Sequence, residues 1–359
     1  MADKKRVLVA MSGGVDSSVA AAMLLSQGYE VEGATMQIWP DICDEDEKIS
    51  VGCCSLSAVD DARLVAYKLG IRYHVFNFKD IFEQTVIEPF KSEYLKGRTP
   101  NPCILCNRIV KFEALLGRAL ALHFDYIATG HYGLIDVNAE TGRYQLKQSK
   151  TIAKDQTYAL YNLTQHQLAH LLLPIGNLTK PEVREYAEKI GLPVFDKPDS
   201  QEICFVKDND YGGFIERSGA KIVKGNFVDK EGNVLGKHKG IVHYTIGQRK
   251  GLGISFSEPH FVININADTN EVVLGKSEDT LSSELIAGDL NFISIDGIKE
   301  EMRATAKIRY SAPQAACTVF PLEGGRIRVV FDLPVRAITK GQSVVLYNED
   351  GVIGGGVIE

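Results

Sequence analysis

No apolar run in this sequence is long enough to cross a membrane: the longest, such as Ala20 to Leu25, fall far short of the roughly 20 residues a spanning helix needs. The opening residues MADKKRV lead straight into a strand-like stretch with no signal-type apolar core, so a soluble cytoplasmic protein with no membrane partner is expected. Cysteine is scarce. Seven thiols in 359 residues, irregularly placed at 43, 53, 54, 103, 106, 204 and 317, exclude a secreted disulfide scaffold and leave core filler, metal ligand or reactive thiol. Charge of either sign is also in small excess: a net −6 and a pI near 5.8 give no global mark of a nucleic-acid binder.

What is present describes a folded globular chain. Hydrophobic residues make up 45% and charged residues 24%, with a mean hydropathy of −0.07, enough apolar surface to offset chain entropy. The length predicts two or three domains. Charge is uneven locally: from Arg217 to Lys250 there are eight Lys/Arg against two acids, Asp229 and Glu231, with His238 and His243 in addition. Such a run reads first as the solvated face of a small domain.

The first half alternates β-rich runs with helical periodicity, the pattern of a doubly wound α/β domain on a parallel sheet. Arg6 to Met11, Val31 to Gln37, Tyr73 to Phe78 and Tyr126 to Thr129 read as strands. Ser17 to Gln27, Leu56 to Leu69, Lys111 to Leu122 and Lys180 to Ile190 read as helices, the last with Thr179 as cap and Pro181 in its first turn. After about residue 210 helices largely vanish. Short β runs such as Gly225 to Val234, His260 to Asn266, Leu290 to Ile295 and Ser343 to Tyr347 take over, and their even turn spacing suggests small barrels. The expected division is a catalytic domain over 1–209, a small basic central domain over 210–280 and a C-terminal β-barrel over 281–359.

The most specific local signal is Ser12-Gly13-Gly14-Val15-Asp16-Ser17-Ser18, where the first strand gives way to the first helix. Two glycines let backbone amides approach an anion, Ser12 and Ser17 add hydroxyl donors, and the helix presents its positive end. The loop lacks the Gly-Lys-Ser/Thr ending of a Walker A motif. It resembles the SGGxDS loop of the adenine-nucleotide alpha-hydrolase, or ATP pyrophosphatase, superfamily, which implies cleavage of ATP between the α and β phosphates. Ligands in such folds lie beyond the carboxyl ends of the strands, which adds Met36 as an adenine-lining candidate and Gly130 as a point of close backbone approach.

A second signal is Gly97-Arg98-Thr99-Pro100-Asn101-Pro102-Cys103-Ile104-Leu105-Cys106-Asn107. Two prolines stiffen the approach, and Cys106 falls just before a helical stretch, where amide dipoles would favour a thiolate. A lone C-x-x-C could equally be half of a zinc site, although nothing at the usual spacing completes it. Cys204 lies in the polar, turn-rich segment Asp196-Lys197-Pro198-Asp199-Ser200-Gln201-Glu202-Ile203-Cys204-Phe205, unlike Cys317, whose apolar strand-like surroundings suit core filler. Cys53 and Cys54 read as an extra metal or redox site, or as packing at a helix entry.

Taken in order, SGGVDSS, GRTPNPCILCN, ATGHY, KDQTY, DSQEICF and a β-rich tail resemble the tRNA-specific 2-thiouridylase family over essentially the whole chain. That resemblance implies thiolation of the wobble uridine of certain tRNAs, with ATP adenylating O2 of the uracil and a persulfide delivering sulfur to C2. By the family pattern Cys204 carries the persulfide received from a sulfur-donor protein, Cys106 is the attacking thiol, and a Cys106–Cys204 disulfide is an alternate or product state. The nucleotide would be held by Ala10, Met11, Ser12, Gly13, Gly14, Val15, Asp16 and Ser17 with Met36 and Gly130. The anticodon region of the tRNA would meet Asn101, Pro102, Cys103, His131, Lys154, Asp155, Gln156, Arg309, Tyr310 and Gln342. Mg²⁺ is expected with the ATP, to shield charge at the α phosphate.

Some members carry Asp where this chain has Cys103, so an acid/base role there is in doubt. The change opens an alternative in which Cys103, Cys106 and Cys204 hold an iron–sulfur cluster. Other readings are a non-thiolating ligase of the same superfamily, which would need no thiols, and a non-enzymatic RNA-binding protein. In the light of the family, the basic stretch gains a role in RNA binding, with Tyr244, Arg249 and Lys250 combining an aromatic and two cations on a glycine-flanked loop.

Overall fold

The computed structural model describes residues 4–38, 56–199, 203–206, 208–349 and 351–359. The chain divides into two compact units, one formed by 1–86, 103–207 and 349–352, the other by 87–102, 208–348 and 353–359.

In the first unit the strands are β1 (Arg6–Ala10), β2 (Glu30–Gln37), β3 (Arg72–Asn77), β4 (Tyr126–Ala128), the hairpin β5 (Leu134–Val137) and β6 (Tyr144–Lys147), and β7 (Leu171–Leu172). A five-stranded sheet runs β3-β2-β1-β4-β7, and every pairing in it is parallel. This is the expected α/β architecture. Parallel strands need crossovers, which here are helical: α1 (Val15–Ser26) leads from β1 towards β2, and α2 (Leu56–Leu69) leads into β3. Four of five β1 residues are buried, and α1 buries Val15, Val19, Ala20, Ala21 and Leu24 in the same core. Helix Lys180–Lys189 packs on α1 and is started by a complete capping box between Thr179 and Glu182, as the sequence predicts.

The amino-terminal edge of this sheet carries a buried charge. The side chain of Glu32 is 4% exposed and meets Arg6 at 3.1 Å, His74 at 2.6 Å and Arg72. Burial pushes the Glu32 carboxyl up, but hydrogen bonds from His74 and Arg6 and the charge of Arg72 outweigh it and hold the group below the usual carboxylate range. A depressed carboxylate contributes stability that is present above its unfolded pKa and disappears as pH falls through the folded one. The thermal midpoint of Glu32→Gln should therefore lie below wild type at pH 7, and the gap should shrink as the pH falls through and below the ordinary carboxylate range. A gap independent of pH between 7 and 3 would show that the carboxylate charge is not what stabilises this edge.

Two helical stretches differ from the sequence reading. The run 79–95, to which the sequence reading assigns no element, is helical: a π-helical turn at Glu83–Ile87 joins Lys79–Phe82 to Glu88–Leu95, with Pro89 in the first turn of the latter. The helix expected from Lys111 begins at Pro102, runs through Pro102–Leu105, a π stretch Cys106–Ala114 and Leu115–Ala121. Pro102 is thus the first residue of the helix and not part of a stiff approach to it.

The second unit contains a four-stranded sheet and a closed barrel. The sheet, ordered β10-β11-β8-β9, consists of β8 (Gly225–Val228), β9 (Val234–His238), β10 (Phe261–Asn266) and β11 (Glu271–Gly275). The expected single run Gly225 to Val234 is split because the Asp229 carboxylate accepts from the amides of Glu231 and Asn233, folding the chain into a hairpin. The barrel is ordered β12-β15-β14-β13-β16-β17, from β12 (Leu281–Phe292), β13 (Met302–Lys307), β14 (Ala315–Leu322), β15 (Arg326–Arg336), β16 (Ser343–Asn348) and β17 (Gly351–Ile358). Cys317 is fully buried in its core, where burial pushes the thiol up to about 11.

Candidate functional site

At the carboxyl end of β1 the chain turns through Ser12-Gly13-Gly14 into α1. Gly14 is the N-cap residue in extended geometry, with no side chain bonded to the first-turn amides. An ordinary helix cap by Asp16 or a serine is thus excluded, and the N–H groups at the helix start are left for an outside acceptor. The hydroxyls brace the loop instead: Ser17 Oγ accepts from the Ser12 amide at 3.2 Å, and Ser18 Oγ donates to the Gly14 carbonyl at 2.8 Å. Gly13 has φ +66°, and a Cβ there would lie 2.3 Å from the Ala58 carbonyl oxygen on α2. Gly130, beyond the end of β4, comes so close to this loop that a Cβ would lie 2.5 Å from the Ser17 nitrogen. Ala10, Met11, Val15 and Met36 are buried around the same strand ends, with Met11 just after β1 and Met36 near the end of the adjacent β2.

Asp16, in the first turn of α1, is the centre of a polar cluster that the sequence reading did not assemble. It accepts from the Tyr132 hydroxyl at 2.9 Å and from Lys180 Nζ at 2.8 Å. Burial, and then the Asp16 carboxylate, push the Tyr132 hydroxyl up, so it donates as a neutral phenol. Lys180 also meets Asp199 at 2.7 Å, and Asp199 further pairs with Lys154 at 3.0 Å and Arg184 at 3.1 Å. Lys197 donates to the Gly13 carbonyl at 3.1 Å and also binds Asp61. Lys180 carried a signal only as a helix-start residue, and its partners are far away in sequence.

His131 follows the same strand end. Its Nδ1 is 2.7 Å from the Thr129 hydroxyl and its ring packs against Phe112; burial, and then the nearby Lys111 charge, hold it well below the ordinary imidazole range, so it is neutral. Of the Lys154-Asp155-Gln156 motif, Lys154 is on Asp199 as above. The Asp155 carboxylate is buried and accepts from the Ser149 amide at 2.9 Å and the Thr157 hydroxyl, and Gln156 accepts from the Tyr132 amide at 2.9 Å. Asp155 therefore organises its own loop.

Cys103 is exposed, and Cys106 and Cys204 are half-buried. Cys106 is the fifth residue of the helical run and opens its π stretch, so the amide-dipole argument made for it from the sequence belongs to the first turn, where Cys103 sits. Wider π turns recur at functional positions. Among the described residues no three His, Cys, Asp or Glu side chains are gathered as a metal site. Cys43, Cys53, Cys54, Ser200, Gln201 and Glu202 lie outside the described residues.

In the second unit, Thr99 is clamped from both sides. Its amide donates to the Lys340 carbonyl at 2.9 Å, its carbonyl accepts from the Gln342 side-chain amide at 2.8 Å, and its hydroxyl donates to Thr245 at 3.2 Å. Gln342 therefore steadies the stretch that leads to Asn101 and Pro102. Arg309 and Tyr310 follow the end of β13 instead of lying in a strand, and Tyr310 is exposed with Lys307 Nζ over its ring at 5.8 Å. In the basic stretch, Arg217 and Lys230 pair with Asp208 and Asp279, while Lys221, Lys224, Lys239, Arg249 and Lys250 have no ion pair among the described residues. Tyr244 is not on the loop surface as expected: it is buried against Phe227, with ring centres 5.1 Å apart. His238 is buried too, and burial lowers its pKa.

Comparison with known proteins places this geometry in a family. A model described as tRNA methyl transferase HUP domain matches residues 5–208, one described as tRNA methyl transferase PRC-barrel domain matches 212–276, and one described as aminomethyltransferase beta-barrel domain matches 282–358. A protein of Acetivibrio thermocellus described as tRNA-specific 2-thiouridylase MnmA is 64% identical over 357 residues, 99% of either chain. The chain belongs to the tRNA-specific 2-thiouridylase family. Family members from Clostridium botulinum strain Alaska E43 and Clostridioides difficile strain 630, described in the same words, are 60% and 57% identical over 99% of this chain and 98% of theirs. The family resemblance read from the motifs is thereby confirmed, as is the fold class. Among the described residues no helix is long and apolar enough to cross a membrane.

Proposed function

We propose that this protein thiolates the wobble uridine, position 34, of tRNA at C2 in an ATP-dependent reaction in the cytoplasm. The observation that carries the reading is the 64% identity, over nearly the full length, to a protein described as a tRNA-specific 2-thiouridylase, in a chain whose Ser12–Ser18 loop, Cys106 and Cys204 belong to one folded unit. The amides at the start of α1, with Ser12 and Ser17, receive the ATP phosphates, and Met36 and Gly130 border the adenine side. Uracil O2 attacks the α phosphorus and pyrophosphate leaves, which turns a poor leaving group into AMP. Mg²⁺ accompanying the nucleotide shields the phosphate charge.

The terminal sulfur of a Cys204 persulfide, loaded by a donor protein, then bonds to C2 as the C2–O2 bond breaks and AMP departs. Cys106 attacks the Cys204 sulfur, so the S–S bond of the persulfide is replaced by a Cys106–Cys204 disulfide and the transferred sulfur takes the electron pair. A cellular thiol reductant returns both cysteines to thiols. Asn101, Pro102, Cys103, His131, Lys154, Gln156, Arg309 and Tyr310 form the tRNA-facing set, the exposed Tyr310 suited to stacking and the unpaired cations of 221–250 to phosphate contact. We assign catalysis to 1–209, a basic central module to 210–280 and the barrel to 281–359. A methyl-transfer reading of the matched models would leave the three thiols without a task.

The test is direct. Purified protein given unmodified tRNA, ATP, Mg²⁺ and a persulfide donor should form 2-thiouridine at position 34, read by nucleoside mass spectrometry, with one AMP and one pyrophosphate released per sulfur transferred. Nucleotide cleavage without thiolated product would overturn the proposal.

A further inference from the structure

The stretch that leads to Cys204 is fastened to the phosphate loop at two points. Lys180 Nζ lies 2.8 Å from both carboxylate oxygens of Asp16 and 2.7 Å from Asp199, and its side chain is only 12% exposed. Lys197 reaches the Gly13 carbonyl at 3.1 Å. Asp199 precedes Cys204 by five residues. Its carboxyl, which burial alone would push up, is held below the usual range by hydrogen bonds from Lys180 and Lys154.

A lysine almost removed from water between two carboxylates carries a desolvation cost that the helix itself does not require. The start of Lys180–Lys189 is already satisfied by the Thr179–Glu182 box and by Pro181, so an apolar residue at 180 would serve the helix as well. What Lys180 alone supplies is a charged link between the loop that takes the nucleotide and the segment that carries sulfur. We propose that Lys180 is a positioning residue that keeps the Cys204-bearing segment in register with the phosphate loop, through Asp16 on one side and Asp199 on the other. This rests on the thiolation reading given above. Lys154, from the motif assigned to tRNA, joins the same hub through Asp199.

Lys180→Met, Lys180→Arg, Asp199→Asn and the double variant Lys180→Met/Asp199→Asn test it. With Lys180→Met, kcat should fall at least about 30-fold while KM for ATP moves less than about 3-fold, the split expected when orientation and not ground-state binding is lost. Alkylation of Cys204, followed by peptide mass spectrometry with Cys103 as internal reference, should quicken several-fold. Lys180→Arg should restore most of both, and Asp199→Asn should reproduce the defect. The double variant should be no worse than the worse single one, because both changes cut the same link. Unchanged Cys204 alkylation in Lys180→Met, or losses that multiply in the double variant, would overturn the positioning role. If wild-type protein binds ATP and thiolates tRNA while those two results appear, only this role falls; if wild type does neither, the functional reading falls with it.

Discussion

Serine in place of Cys106 or Cys204 should leave ATP binding within about threefold of wild type and reduce 2-thiouridine formation by at least about a thousandfold. The reason is chemical. A hydroxyl cannot hold the sulfane sulfur that Cys204 must carry, and at position 106 it cannot supply the electron pair that frees that sulfur from Cys204. Both side chains are half-buried, so serine fits without a cavity and the loss reports on chemistry and not on folding. Cys317→Ser is the contrast: that thiol is buried in the barrel core, so its replacement should lower the melting temperature without touching the chemical step. Thiolation by Cys106→Ser at near wild-type rate would remove Cys106 from the proposed sequence, and retention by Cys204→Ser would remove the persulfide.

Alanine at Gly130 should cost about a hundredfold in kcat/KM for ATP. Its Cβ would sit 2.5 Å from the Ser17 nitrogen and 2.6 Å from the Asp16 carbonyl carbon, backbone atoms of the first turn of α1 that cannot swing aside as a side chain can. Either β4 or the loop has to give way, and a displacement near 1 Å misaligns every amide that faces the phosphates. Gly13→Ala should be worse still, since it adds a left-handed backbone strain of about 1–3 kcal/mol to a contact of 2.3 Å with Ala58. Calorimetric titration with ATP, set beside thermal melts, separates lost affinity from lost folding. Wild-type affinity in folded Gly130→Ala would place the nucleotide elsewhere.

The parts of this molecule that could be read from the sequence are those written contiguously. Strand, glycine turn and helix stand side by side from Arg6 to Ser26, so this strand–loop–helix unit is legible in the sequence alone. The Asp16–Lys180–Asp199 cluster was not, because it exists only where helix Lys180–Lys189 packs on α1. Proline hid a helix start at Pro102, since the residue opens a helix as readily as it breaks one. Glycine hid a strand: β17 reads GVIGGGVI, against strand propensity, yet a Cβ on Gly354 would meet the Asn291 carbonyl oxygen at 2.3 Å, so close strand approach demands its absence. Tyr244 was misjudged for the opposite reason, as an aromatic residue in a turn-rich segment that the fold takes inside.

The parallel sheet keeps its buried carboxylate, Glu32, near the beginnings of the strands and the Ser12–Ser18 loop at their other ends. Thermal robustness and turnover should therefore be separable traits in this chain. Substitutions around Arg6, Glu32, Arg72 and His74 offer a dial for the first that leaves the second alone, which makes that rim the place to graft hardening mutations.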